Sequence, residues 1–184
     1  MNDYIIIDNF LNDPEDTRNR GLILPFWKKE EHPFPESLGA LGEGGYRTEY
    51  LHTLDTELYG EVNSKLICAI NILTNFRANL NKTDTHYSYQ YTDRKFKLPQ
   101  WHCDKDPSPG MSDTIAGVVY LNPNPPRNSG TLLKIDGKKK VIENKFNRLV
   151  LYNGLIPHTL QRSFGRTKHD SRLILNTFTY LNFL

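Results

Sequence analysis

His86-Tyr87-Ser88-Tyr89-Gln90-Tyr91 alternates tyrosines with smaller or polar residues at a period of two. Such alternation predicts a strand whose two faces meet different surroundings. Immediately upstream the period is different. Leu58, Val62, Leu66, Ala69, Ile70, Leu73, Phe76 and Leu80 recur at three-to-four spacing, with Glu57, Glu61, Lys65 and Arg77 between them. That pattern predicts an amphipathic helix from about Asp55 to Asn81, whose apolar stripe needs a sheet to cover. The chain therefore divides into a helical N-terminal part, 1–85, and a strand-built core, 86–184, within one domain.

Working outward, β-rich runs follow at Asp113 to Leu121, Leu132 to Ile135, Lys140 to Glu143, Arg148 to Tyr152 and Arg172 to Leu181. Asp136-Gly137 favours the left-handed backbone of a tight hairpin turn. At the other end, Tyr4 to Asp8 reads as a short strand. Asp13 can cap a following helix with Pro14 in its first turn. From about Pro25 to Tyr50, prolines and glycines predict an ordered loop region. Two helices and about eight short strands make an α+β, mainly β pattern: a sandwich or barrel with N-terminal helices buttressing one face.

Composition narrows function mainly by exclusion. The 184 residues carry 23 Lys plus Arg against 21 Asp plus Glu, a net charge of +2, which argues against extended nucleic-acid binding. Hydrophobic residues make up 38% of the chain, enough to build a core. The apolar run at Tyr4 to Asp8 is too short for a membrane span or a signal peptide. Two cysteines, Cys68 and Cys103, cannot form a disulfide framework and fit a reducing, cytoplasmic setting.

The segment with chemistry in it is Gln100-Trp101-His102-Cys103-Asp104. In an extended strand His102 and Asp104 share a face, and Trp101 and Cys103 share the other, where Trp101 is expected in the core. One imidazole and one carboxylate can then reach one metal ion. His158, in Leu155-Ile156-Pro157-His158-Thr159, can supply the third ligand. Two histidines and one carboxylate on one side of an ion make the facial triad that suits non-heme Fe(II) and leaves positions open. Taken alone, a His-x-Asp tripeptide equally fits a hydrogen-bonded surface pair. His32, His52, His86 and His169 have no partner at ligand spacing and read as solvated or structural.

Arg172 opens the alternating strand Arg172-Leu173-Ile174-Leu175-Asn176-Thr177-Phe178, sharing a largely apolar face with Ile174, Asn176 and Phe178. A buried guanidinium needs an anion, and its planar fork pairs with a carboxylate. A dicarboxylate that chelates the metal at one end and meets Arg172 at the other would satisfy both groups. The plain alternative is a surface arginine at a strand start.

These residues resemble the Fe(II)- and 2-oxoglutarate-dependent dioxygenases, in particular their prolyl-4-hydroxylase-like branch. Over roughly Tyr87 to Leu181, His102-Cys103-Asp104 looks like the family's His-x-Asp. Val119-Tyr120-Leu121-Asn122 is similar to its Tyr-Leu-Asn strand end, and Ser129-Gly130-Thr131-Leu132-Leu133 to its Gly-Gly-x-Leu strand start. Asn147 to Tyr152 followed by Pro157-His158 resembles the run into the distal histidine. The resemblance implies a double-stranded β-helix, a jelly-roll or cupin-like barrel, with Fe(II) held by His102, Asp104 and His158. It implies 2-oxoglutarate bound by Arg172, with Tyr120 and Tyr91 as hydroxyl partners and Leu133 lining its pocket. O2 would be the oxidant, with succinate and CO2 released. Arg172 lies farther beyond His158 than is usual in this branch, so Gly165 to Asp170 would be an inserted loop, with Arg162 and Arg166 as rivals for the anion. Asp104 argues against halogenation, since halogenating relatives carry a small residue in its place, and leaves hydroxylation as the expected outcome. The primary substrate is left open among a peptide, an amino acid and a small molecule. The competing readings are a non-catalytic cupin-like binding module and a metal-dependent hydrolase or isomerase.

Overall fold

A computed structural model describes residues 2–32, 44–97, 101–104 and 113–183. The chain opens with strand β1 (Tyr4–Asp8) and helix α1 (Pro14–Ile23). The side chain of Asp13 accepts a hydrogen bond from the Asp16 backbone N–H at 2.9 Å, and Glu15 and Asp16 sit at the positive end of the helix dipole. After the short strand β2 (Gly45–Arg47) and the single turn α2 (Leu51–Leu54) comes the long helix α3 (Thr56–Thr74).

Helix α3 buries Leu58, Val62, Leu66, Ala69, Ile70 and Leu73, as the periodicity predicts. It stops seven residues short of Asn81. Asn75 and Phe76 both adopt left-handed backbone, and the Phe76 N–H donates back to the Asn71 carbonyl at 2.9 Å, which closes the helix. Phe76 is exposed and Leu80 belongs to the next strand, so the last two members of the stripe are coincidental.

The strands that follow are β3 (Ala78–Thr92), β4 (Asp113–Tyr120), β5 (Thr131–Ile135), β6 (Lys138–Ile142), β7 (Arg148–Asn153), β8 (His158–Leu160) and β9 (Arg172–Phe183). They form a six-stranded antiparallel sheet in the order β1-β7-β4-β9-β3-β2 and a three-stranded sheet β6-β5-β8. The N-terminal part is thus not purely helical: it supplies both edge strands of the large sheet. In the β5–β6 hairpin Asp136 and Gly137 have φ of 49° and 74°, the two-residue turn that the Asp-Gly pair favours.

The large sheet is buried on both faces. Leu149, Leu151, Leu173, Leu175, Tyr87 and Tyr89 meet the stripe of α3, while Val118, Tyr120, Val150, Tyr152 and Ile174 meet Leu133 and Ile142 of the small sheet. The result is a mainly-β, two-sheet sandwich. It is not a closed barrel: among the described residues no strand pairing joins the two sheets. No described helix is long and apolar enough to cross a membrane.

Helix α1 docks through Gly21. A Cβ there would lie less than 3.0 Å from ring atoms of Tyr89, which is fully buried and pinned by a 2.6 Å hydrogen bond from its hydroxyl to the Thr17 carbonyl. Gly21→Ala should therefore destabilise the protein by about 1–3 kcal/mol despite the better helix propensity of alanine. Gly60→Ala, in α3, meets nothing within 4 Å and should stabilise by up to ~1 kcal/mol. Denaturant unfolding of the two variants checks the pair; an equal response would refute the packing account.

Candidate metal centre and anion pocket

His158 begins β8, directly opposite Leu133 of β5. The His102 segment is not a full strand but a single antiparallel bridge, with His102 N–H donating to the His158 carbonyl at 3.2 Å and His158 N–H donating back at 2.9 Å. Two residues on, the Asp104 N–H donates to the Gly154 carbonyl at 2.8 Å. This ladder brings His102, Asp104 and His158 together, with one ligand atom of each within 4.8 Å of the others.

The fine geometry bears on a metal. His158 Nδ1 lies 2.9 Å from the Ile156 carbonyl oxygen, which can only accept, so Nδ1 donates there and Nε2 is the nitrogen turned toward the triad. Nε2 in turn lies 3.2 Å from Asp104 Oδ2, a buried oxygen that receives no hydrogen bond. A carboxylate oxygen and an imidazole nitrogen this close, with no hydrogen bond between them, are arranged to share a cation. The donor set, two imidazoles and one carboxylate, fits a divalent ion such as Fe(II).

The triad lines a cavity of about 830 Å³ whose wall also carries Arg172, Ile174, Asn176, Phe178 and Tyr180, the alternate residues of β9. Arg172 is 3% exposed. Its Nε donates to the Ser129 carbonyl at 3.2 Å, and its guanidinium lies over the Tyr120 ring at 5.5 Å. Burial pulls its pKa down while the Tyr120 hydroxyl opposes the shift, yet a guanidinium stays charged in any protein. The rival arginines, Arg162 and Arg166, are exposed. The 163–170 loop is ordered by Asp170, which accepts from the Arg166 and Thr167 N–H groups and is held at a pKa of about 2.

The other expected site residues divide. The Tyr120 hydroxyl pairs with Thr131 Oγ1 at 2.7 Å, so it supports Arg172 and does not open onto the cavity. Leu133 is core and does not line the cavity. Tyr91 is a correction: with Tyr87 and Tyr89 it points to the opposite face of β3, where it stacks on Tyr46 at 4.4 Å. The pleat gives the cavity Ser88, Gln90 and His86 instead. Trp101, expected in the core, is 42% exposed, and Cys103, expected to face away, lines the cavity.

Three residues escaped sequence reading. Tyr152 packs on His158 at 4.8 Å between ring centroids; burial raises its pKa, the Asp104 charge adds to this and the Arg172 charge opposes it, so it remains a donor. Arg47 is a second buried arginine on the cavity wall. Gly154 is where the Asp104 chain passes closest, since a Cβ there would lie 2.9 Å from the Asp104 carbonyl oxygen and 3.0 Å from Thr114 Cβ.

No protein-family model and no curated protein matches the sequence. Solved structures do match in fold. HygX from Streptomyces hygroscopicus, solved with nickel, 2-oxoglutarate and hygromycin B bound, aligns over 98% of this chain and 83% of its own at a TM-score of 0.69 and 9% identity. A prolyl-4-hydroxylase from Pseudomonas putida aligns over 98% and 92% at 0.62 and 15%. A 2OG-Fe(II) oxygenase family oxidoreductase from Burkholderia pseudomallei aligns over 97% and 83% at 0.65 and 10%. The chain shares the fold of these proteins across nearly its whole length.

Gly154→Ala should push the Asp104 segment off the triad and weaken Mn(II) binding about 10- to 100-fold, the usual cost of disturbing the support of a metal ligand. Calorimetric titration checks this, and an affinity within twofold of the parent protein would refute the close-approach argument.

Proposed function

We propose that the chain, as one domain over residues 1–184, is an Fe(II)- and 2-oxoglutarate-dependent oxygenase that hydroxylates a peptide or amino-acid side chain or a small molecule. The observation that carries this is the meeting, in one cavity, of the ligand atoms of His102, Asp104 and His158 with the buried cation Arg172. The metal site calls for a cation and the arginine calls for an anion. 2-Oxoglutarate, a dicarboxylate, meets both requirements, and HygX holds nickel and 2-oxoglutarate in the same two-sheet fold.

In this reading His102, Asp104 and His158 hold Fe(II), which when bound supplies the activation of O2 coupled to decarboxylation of 2-oxoglutarate to succinate and CO2. The remaining work belongs to the chain. Arg172 takes the distal carboxylate, with its fork aimed by the Ser129 carbonyl and the Tyr120 ring. Thr131 fixes Tyr120 from the facing strand. The Ile156 carbonyl holds the His158 proton on Nδ1 and so keeps Nε2 available to the metal. Tyr152, uncharged by burial, offers a hydroxyl donor near the triad. Ile174, Phe178 and Val118 keep the intervening wall apolar, which strengthens every charge interaction inside. The Asp104 carboxylate occupies the ligand position that halogenation would need vacant. Two unpaired thiols, Cys68 and Cys103, fit a cytoplasmic setting.

The test is conversion of 2-oxoglutarate to succinate with added Fe(II). Asp104→Ala should abolish it and also remove the thermal stabilisation that Mn(II) gives the parent protein, about 2.7 kcal/mol at a hundredfold excess over Kd. Arg172→Ala should raise KM for 2-oxoglutarate at least about thirtyfold, equivalent to ~2 kcal/mol, with metal binding kept. Turnover unaffected by Asp104→Ala would end the proposal.

A further inference from the structure

The oxygenase reading leaves a pair of buried polar side chains without a task. Ser88 of β3 and Asn176 of β9 stand directly opposite each other in the register and so project to the same face. Both line the cavity, with 2% and 8% of their surface exposed. Neither the Ser88 hydroxyl nor the Asn176 amide makes a hydrogen bond to any described residue, whereas polar groups this deeply buried are ordinarily paired. Together they offer both kinds of partner: a hydroxyl gives and takes hydrogen bonds, and an amide does both from separate atoms. An anion would use only their donors and an ammonium group only their acceptors. A hydroxyl group uses both.

The surface beside the pair is aromatic. His86, opposite Phe178 one inward-facing row away, packs nearly perpendicular to Tyr180 at 5.2 Å and against Tyr50 at 4.8 Å between ring centroids. Its Nε2 lies 3.2 Å from Asp84 Oδ2, which orients the ring. All three rings line the cavity and are half-buried, and the hydroxyls of Tyr50 and Tyr180 make no hydrogen bond to a described residue. Ring faces bordered by neutral groups that both donate and accept match a saturated ring with apolar C–H faces and hydroxyl groups on its edge.

Backbone geometry puts this surface beside the triad and off the line to Arg172. The Asp104 N–H is bonded to the Gly154 carbonyl, the Gly154 N–H donates to the Thr114 carbonyl at 2.7 Å, and Thr114 lies opposite Tyr180 across β4 and β9. Tyr152, packed on His158, lies opposite Ala116, which in turn lies opposite Phe178. The triad therefore stands over the Phe178 and Tyr180 end of β9, on its β4 side, and Arg172 opens the other end of that strand. A dicarboxylate joining the two runs along β4 and β9. Ser88 and His86 lie on the other flank, on β3, and Tyr50 follows β2. A cavity of about 830 Å³ has room for a second small molecule there.

We propose that Ser88 and Asn176, with the rings of His86, Tyr50 and Tyr180, bind the primary substrate, and that this substrate is an uncharged ring carrying hydroxyl groups, a sugar or a cyclic polyol. This rests on the oxygenase reading for the metal and for the place of 2-oxoglutarate. Selection is then made by hydrogen bonds that both give and take and by ring stacking, on the flank of the large sheet away from the cosubstrate.

The test uses the full chain loaded with Mn(II) and saturating 2-oxoglutarate, with methyl glucoside and inositol as probes and indole as a flat ring without hydroxyl groups. Paramagnetic relaxation of each probe by Mn(II) is followed by NMR. The expected result is saturable relaxation of methyl glucoside or inositol, tighter than any binding of indole. Asn176→Leu and Ser88→Ala should each weaken it about tenfold, the usual cost of leaving a buried hydrogen-bonding group unpaired, with 2-oxoglutarate affinity kept within about twofold. Absence of saturable binding of both polyols, tighter binding of indole, or unchanged binding in both variants would overturn the proposal. So would a loss of 2-oxoglutarate affinity as large as the loss of the probe, which would give the pair to the cosubstrate. Failure of the unmodified protein to bind 2-oxoglutarate would instead defeat the oxygenase reading, and saturation-transfer NMR of the same probes on the metal-free chain reads the polyol site separately.

Discussion

Successive side chains of a strand point to opposite faces, and the site depends on how β9, buried on both, obeys that constraint. Leu173, Leu175 and Leu181 go to the α3 face, so Arg172, Ile174, Asn176, Phe178 and Tyr180 go to the cavity. A one-residue slip would exchange the two sets, driving the guanidinium against the leucines of α3 and emptying the cavity of its cation. The register is pinned from both sides. β9 pairs with β4 along Asp113 to Tyr120 and with β3 along most of its length, and the apolar stripe of α3 accepts only the leucine face. The packing of the helix therefore sets the chemistry on the opposite side of the sheet.

The same constraint explains why polar groups stand in the middle of a sandwich at all. A buried arginine costs several kcal/mol in lost hydration unless it finds an anion. Arg172 recovers part of this from the Ser129 carbonyl and the Tyr120 ring, neither of which is charged. Asp104 Oδ2 is in the opposite condition, a buried acceptor with no donor. Each is poorly satisfied alone, and a cation with a dianion satisfies both together. The protein accepts local instability at these groups, which a metal and a dicarboxylate, in the proposed function, would relieve together.

What could be read in the sequence follows from what is periodic. The alternation at His86 to Tyr91 and at Arg172 to Phe178 fixes which residues share a face, so Arg172 goes with Ile174, Asn176 and Phe178, as the cavity wall has them. The Asp-Gly turn and the cap at Asp13 are local chemistry and were equally legible. Periodicity does not say which face of a strand is which. Tyr91, which the resemblance implies beside the cosubstrate, stacks on Tyr46, because nothing in a single strand tells the α3 side from the inner side. Helix ends are also weakly coded: Asn75 and Phe76 turn the chain left-handed inside a stripe that runs on without them. Gly154 was invisible for a third reason, since a close approach of two backbones has no signature in either segment.

Arg47 shows the same difficulty of faces. Its neighbour Tyr46 stacks on Tyr91 and fixes the faces of β2, so once Tyr91 is placed outside, Arg47 and Gln90 must point inward. Arg172 lies on a strand with partners on both sides, where any shift disturbs the whole sheet. Arg47 lies on a three-residue edge strand joined to β3 and bridged to Trp27, where the backbone can be rebuilt at little cost to the core.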